Sequence, residues 1–248
     1  MKNQIKKFDK EKSSRINQNK SNYKLKSASK KFLLETIKPK YTYNFSWLGV
    51  PIIQIPQDIY QLQEIIWDVK PNLIIETGIA HGGSLVFSAS MLAILNMQNK
   101  EKRKVIGIDI DFRNHNKSVL KKHFTKKLIS FVSGSSTDTK VFDKIKKISK
   151  NYNKILVILD SNHTHEHVLN ELNLYSQLVS KNSYCIVFDT IINEMPNNFY
   201  PDRDWNNSNN PMTAIKEFLK SNKNFEIDKK IDHKLMVSMA KNGFLKKK

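Results

Sequence analysis

From residue 45 onward, short apolar runs alternate with longer amphipathic stretches. That alternation marks a parallel sheet with crossover helices. The runs Leu73–Glu76, Val105–Asp109, Ile129–Val132, Ile155–Asp160 and Tyr184–Asp189 read as strands. Each is continuous and rich in Ile and Val, as strands covered on both faces are. Apolar side chains at helical spacing fill the intervals at about 57–69, 83–98, 116–126, 139–150 and 164–180. The pattern breaks between Ile191 and Pro211, a polar, Asn-rich stretch with Pro196, Pro201 and Pro211. Loops of this length in compact domains serve as lids or are disordered, so 190–211 is predicted to be a lid-like loop. A short helix near 212–221, a strand at Phe225–Ile227 and a final strand at Leu235–Met239 follow, and Asn242-Gly243 suggests a terminal hairpin. The predicted class is a doubly wound α/β fold with a mostly parallel sheet.

Composition narrows this picture. Hydrophobic residues make up 39% of the 248, enough to bury a core and exclude wholesale disorder. No apolar run approaches the ~20 residues of a membrane-spanning helix, so no integral membrane segment is expected. The start MKNQIKKFDKEKSSR lacks the apolar region of a secretory signal. A single cysteine, Cys185, excludes an internal disulfide framework and a Cys-based zinc cluster. These features predict a cytoplasmic protein.

The net charge is +19, but it is unevenly placed. Residues 1–40 hold 13 Lys+Arg against 3 Asp+Glu, a net +10, and the other 208 residues carry only +9. Residues 1–40 are predicted to be a basic, flexible arm, and 41–248 the catalytic domain. Such an arm suits phosphates or an anionic membrane surface, which would place the protein at the inner membrane face. The bland reading is compositional: the whole chain favours Lys, Asn and Ile, so Lys is its default solvated residue.

The chemistry gathers where strands end. Glu76-Thr77-Gly78-Ile79-Ala80-His81-Gly82-Gly83-Ser84 follows a strand and opens a helix. Gly78 allows a sharp turn, and Gly82 and Gly83 let a ligand approach the backbone. The spacing matches neither the dinucleotide fingerprint nor a phosphate-binding P-loop. An acidic strand end before a Gly turn suits a cationic, ribose-bearing ligand such as S-adenosylmethionine; a plain strand-to-helix turn is the alternative. Asp109 ends the next strand, placed to hold ribose hydroxyls. Ser133-Gly134-Ser135-Ser136 brings small polar groups to the third tip, where an adenine could be met. Asp160 and Asp189 end two further strands, and two such carboxylates can hold Mg²⁺. His163 stands three residues after Asp160, where an imidazole can take a proton from a hydroxyl. His165 and His167 read as a helix-surface pair.

The block Trp47-Leu48-Gly49-Val50-Pro51, the glycine motif, Gly107-Ile108-Asp109, Leu159-Asp160-Ser161-Asn162-His163-Thr164-His165, Phe188-Asp189-Thr190 and Asn209-Asn210-Pro211 together resemble the cephalosporin hydroxylase, or rhamnosyl O-methyltransferase, family. The resemblance covers residue 45 to the end. It implies a class I methyltransferase fold, Rossmann-like, with a seven-stranded sheet and a reversed last strand. It also implies S-adenosylmethionine at Glu76, Gly78, His81, Gly82, Ser84, Asp109, Ser135 and Asp160. By the same resemblance Asp160 and Asp189 hold Mg²⁺, and His163, with Asp160, is catalytic as general base. Phe188 stands where that pattern has a metal-binding Glu, which leaves two protein carboxylates.

The expected activity is therefore O-methyl transfer to a hydroxyl of a small molecule or glycan, such as a surface glycan or glycolipid. Trp205 would belong to the acceptor lid, and Phe45 and Trp47 offer either a sugar-facing aromatic surface or core packing. A homo-oligomer is compatible with these features. Three other readings remain: an RNA methyltransferase recruited by the arm, a non-catalytic cofactor-fold binding protein, and a binuclear metallohydrolase suggested by His163-Thr164-His165-Glu166-His167. The last needs a different fold and further downstream His ligands, and only His233 lies downstream.

Overall fold

The computed structural model describes residues 2–111 and 113–248. Seven strands form the central sheet: β3 (Leu73–Thr77), β4 (Lys104–Asp109), β5 (Ile129–Ser133), β6 (Ile155–Leu159), β7 (Tyr184–Val187), β8 (Phe225–Ile227) and β9 (Phe244–Lys247). Their order is β5-β4-β3-β6-β7-β9-β8. The first five are parallel, and β9 runs antiparallel to both β7 and β8. The predicted doubly wound sheet with a reversed last strand is the fold observed. A separate hairpin precedes it, β1 (Phe45–Trp47) and β2 (Val50–Ile52), turned by Leu48 and Gly49 at positive φ.

Helices cover both faces: α3 (Pro56–Val69), α4 (Gly83–Gln98), α5 (Asn114–Lys122), α6 (Thr139–Ser149), α7 (His165–Tyr175), α8 (Pro211–Ser221) and α9 (Lys229–Leu235). Alternate residues of each strand face opposite layers. In β3, Ile74 belongs to the cluster under α3 and α4, whereas Leu73 and Ile75 join the one under α6, α7 and α8. Burying each such side chain is worth about 1.5–3 kcal/mol, which is why β6 is apolar throughout and β3 is apolar up to Glu76 and Thr77 at its tip. The position 188 side chain follows this rule: Phe188 is 2% exposed and packs in the first cluster.

One expectation needs correction. Leu235–Met239 is not a strand. The chain there leaves α9 and turns at Met236; the Met239 amide donates to Asp58 Oδ2, and the Thr190 hydroxyl donates to the Met239 and Lys241 carbonyls. The reversed strand begins at Phe244, after Gly243, whose Cβ position lies 2.1 Å from the Val187 carbonyl. The basic N-terminal segment contains two helices, α1 (Lys2–Asn19) and α2 (Tyr23–Ile37). Asn22 caps α2 by accepting from the Leu25 amide, and Leu33 is buried in a cluster with Ile55, Ile191, Ile192 and Met195. The second helix therefore packs on the start of the 190–211 segment. Trp47, finally, takes the core role: it packs edge-on against Phe87 at 4.9 Å and donates from Nε1 to Ser90 Oγ.

Candidate active site at the carboxyl edge of the sheet

The parallel strands deliver their last residues to one edge, and two neighbouring tips carry acids. Asp160 follows β6, and Asp189 follows β7 with φ +53, a left-handed conformation that a non-glycine residue adopts only at a cost of about 1–3 kcal/mol. The loop that leads from β6 into α7 supplies His163 three residues after Asp160. Its Nδ1 lies 3.3 Å from Asp189 Oδ2. One ligand atom from each of Asp160, His163 and Asp189 lies within 4.8 Å of the others. Neither carboxylate has a Lys or Arg partner among the described residues. Burial first, then the charges of Asp189 and Glu76, hold the Asp160 carboxyl well above the usual carboxylate range.

A cavity of about 380 Å³ opens over this cluster. Tyr200 and Trp205, from the 190–211 segment, form one wall. The Trp205 ring meets the His163 ring edge-on at 5.8 Å, and Tyr200 meets Trp205 at 5.4 Å. The segment is anchored at its end: Asn210 accepts from the Met212 and Thr213 amides to cap α8, and Asn209 accepts from the His165 amide. Thr36, Ile37 and Lys40, at and just beyond the end of the second N-terminal helix, line the cavity too.

The residues expected to meet a cofactor form a separate hydrogen-bonded edge and do not line that cavity, Asp160 excepted. Glu76 is buried and takes a hydrogen bond from Ser84 Oγ; its other oxygen is buried without a partner. Burial pushes its pKa up to about 7, against the lowering effect of Ser84. Asp109 Oδ2 accepts from the Ile79 amide at 2.8 Å, so the second strand tip holds the glycine turn directly. Ser135 bonds Thr137, and His81 is half-buried beside the turn.

The glycines also let elements of the protein approach one another closely. A Cβ at Gly78 would lie 2.0 Å from the Asp160 carbonyl, so Gly78 lets two strand tips touch. A Cβ at Gly82 would meet Leu120 at 2.5 Å, and one at Gly83 the Pro51 carbonyl at 2.3 Å. The close approaches are to protein.

The three histidines of the His163–His167 run diverge. His165 bonds Thr213 and Glu217 on α8. His167 is no surface residue: its Nε2 meets Ser136 and Ser161, each at 3.1 Å, beside the fully buried Glu171. A binuclear site shared by the three is therefore absent among the described residues.

Sequence reasoning missed Gln54 and Asp58. Gln54 donates from Nε2 to Asp160 Oδ2 at 3.1 Å. Its signal was a polar residue inside the apolar run Val50 to Pro56. Asp58, buried in the first turn of α3, has its pKa pushed up to about 7 by burial.

Comparison with known proteins agrees with this architecture. A family model described as Rhamnosyl O-methyltransferase/CmcI matches residues 39–248. The Rhamnosyl O-methyltransferase of Mycobacterium bovis (strain BCG / Pasteur 1173P2) is 30% identical over 204 residues, covering 81% of this chain and 77% of the relative. The protein of that name from Mycobacterium leprae (strain TN) is 29% identical over 152 residues, 61% of this chain and 62% of the relative. Among solved structures, an apo form of CmcI superposes with TM-score 0.58 at 18% identity, covering 83% of this chain and 76% of that one. A CmcI structure with Mg and SAM gives 0.56 at 18% identity, with 83% and 77% covered. The chain belongs to the rhamnosyl O-methyltransferase/CmcI family and is an O-methyltransferase.

Proposed function

We propose that the protein transfers a methyl group from S-adenosylmethionine to a hydroxyl of a sugar, with the rhamnosyl unit named for its relatives as the first acceptor to consider. The observation that carries this reading is the Asp160–His163–Asp189 cluster, open to a cavity walled by aromatic rings. The donor would lie along the adjacent edge, where three features suit it. Glu76 has an unpartnered buried oxygen, Asp109 ends β4, and α4 starts at Gly82 without a side-chain cap, leaving amides for a carboxylate. When bound, S-adenosylmethionine supplies a methyl group on a sulfonium that leaves as a neutral thioether.

Asp160 and Asp189 fit Mg²⁺, because their oxygens lie close together with no Lys or Arg partner among the described residues and a cation would offset their repulsion. Bound there, the cation supplies positive charge that favours the ionised acceptor hydroxyl. The chain's own residues do the remaining work. Asp189 faces His163 Nδ1 and orients the ring, which leaves Nε2 to remove the acceptor proton. Trp205 packs on the same ring and excludes water from it. Most of the rate then comes from holding the hydroxyl in line with the methyl group.

The test is methyl transfer from labelled S-adenosylmethionine to rhamnosyl acceptors, with and without Mg²⁺. Absence of S-adenosylmethionine binding by calorimetry would defeat the proposal.

The basic helices carry a second, separate proposal: α1, α2 and α9 contact an anionic membrane surface from the cytoplasmic side. Burial, followed by the charges of Lys26, Lys20 and Lys229, pushes the His233 imidazole down, which marks a concentration of positive charge where the three helices meet. No helix among the described residues is long and apolar enough to cross a membrane. Co-sedimentation should favour vesicles of anionic over neutral lipid and fall with salt. RNA binding with the same salt response would favour recruitment to RNA instead.

A further inference from the structure

The candidate cation site is short of oxygen. Mg²⁺ takes six oxygen ligands at octahedral positions. The tips of β6 and β7 bring two carboxylates, and the residue before Asp189 contributes none, because Phe188 points into the core at 2% exposure. If His163 is kept for proton transfer, only Asp160 and Asp189 remain.

One more polar side chain reaches the cluster. Gln54 lies on the link between β2 and α3, outside the sheet, and is 5% exposed. Its Nε2 donates to Asp160 Oδ2 at 3.1 Å, its Oε1 takes no hydrogen bond from a described residue, and it lines the cavity. Burying a carboxamide costs free energy unless it is satisfied, and an apolar residue would fill the place between Ile53 and Ile55 at less cost. A carboxamide is also nearly symmetric. Turning it end for end exchanges the NH₂ donor for a carbonyl acceptor in the same volume.

We infer that Gln54 is a third protein ligand of the cation site, its carboxamide turning to offer Oε1 to a bound divalent cation. The inference rests on the cation reading of Asp160 and Asp189. In the orientation observed the same group donates to Asp160 and offsets part of the repulsion between the acids. A neutral oxygen at this place raises the ligand count without adding a third negative charge.

The experiment is calorimetric titration of Mg²⁺ alone into the full-length protein and into Gln54→Leu and Gln54→Glu, with thermal melting to confirm folding. Gln54→Leu should weaken Mg²⁺ binding by about tenfold or more. Gln54→Glu should tighten it, since a carboxylate then stands at the ligand position. Mg²⁺ affinity unchanged in Gln54→Leu overturns the inference while leaving the two-carboxylate site standing. If Gln54→Leu fails to fold, Gln54→Glu decides: equal or weaker binding overturns the inference. A wild-type protein that binds S-adenosylmethionine but shows no Mg²⁺ heat removes the cation site itself, and Gln54's role with it.

Discussion

His163 Nδ1 and Asp189 Oδ2 stand 3.3 Å apart although they come from different strand–helix units. The pairing fixes which imidazole nitrogen faces the cavity. His163→Ala should lower methyl transfer by about 10²–10⁴-fold, the range for a lost general base. Its affinity for S-adenosylmethionine should match wild type by calorimetry, because the donor edge is elsewhere. Equal losses of binding and turnover would mean that His163 supports the fold instead.

Trp205 rests edge-on against His163 and against Tyr200. An aromatic contact of this kind is worth about 0.5–1.5 kcal/mol, so Trp205→Ala should raise KM for the acceptor about three- to tenfold. The dissociation constant for S-adenosylmethionine should not change. Steady-state kinetics varying each substrate in turn separates the two.

Gly78 and Gly49 share φ +83 but differ in surroundings. Nothing lies within 4 Å of a Cβ built on Gly49, so Gly49→Ala should cost about 1 kcal/mol from backbone conformation alone. At Gly78 the Cβ would overlap the Asp160 carbonyl, and Gly78→Ala should cost more than about 2 kcal/mol. Denaturant unfolding of both variants checks the difference. The Gly78 variant should also lose Mg²⁺ affinity, since the strand tip carrying Asp160 must move.

Asp58 gives a pH signature. Its folded pKa is raised to about 7 from an ordinary value of 3.8, so folding favours the protonated form. The resulting stabilisation is complete below about pH 4 and is lost as pH rises through about 7. Asp58→Asn keeps an acceptor for the Met239 amide and cannot ionise. Its melting temperature, relative to wild type, should therefore rise steadily from pH 5 to pH 8; a constant difference would contradict the assignment.

Much of this architecture was legible along the chain. Continuous Ile/Val runs such as Ile155–Leu159 need cover on both faces, and only a parallel sheet between helix layers provides it. Such strands end at a common edge, so Asp109, Asp160 and Asp189 could be placed there by counting. The terminal region misled for a related reason. Leu235–Met239 has strand composition, but Asp58 and Thr190 hold its backbone by long-range bonds that no local pattern announces. In the first forty residues charge dominates the composition, so the packing of Leu33 against Ile191 and Ile192 was not legible in the local pattern.

Periodicity and local motif were enough for the parallel strands, the acids at their tips and the family. Tertiary structure alone decided which groups meet. It turned Phe188 into the core and brought Gln54 to Asp160 across 106 positions of chain. It separated three histidines that adjoin in sequence, and it filled the glycine clearances with protein. Contacts between distant residues depend on how whole layers pack, and a one-dimensional pattern carries no record of that distance.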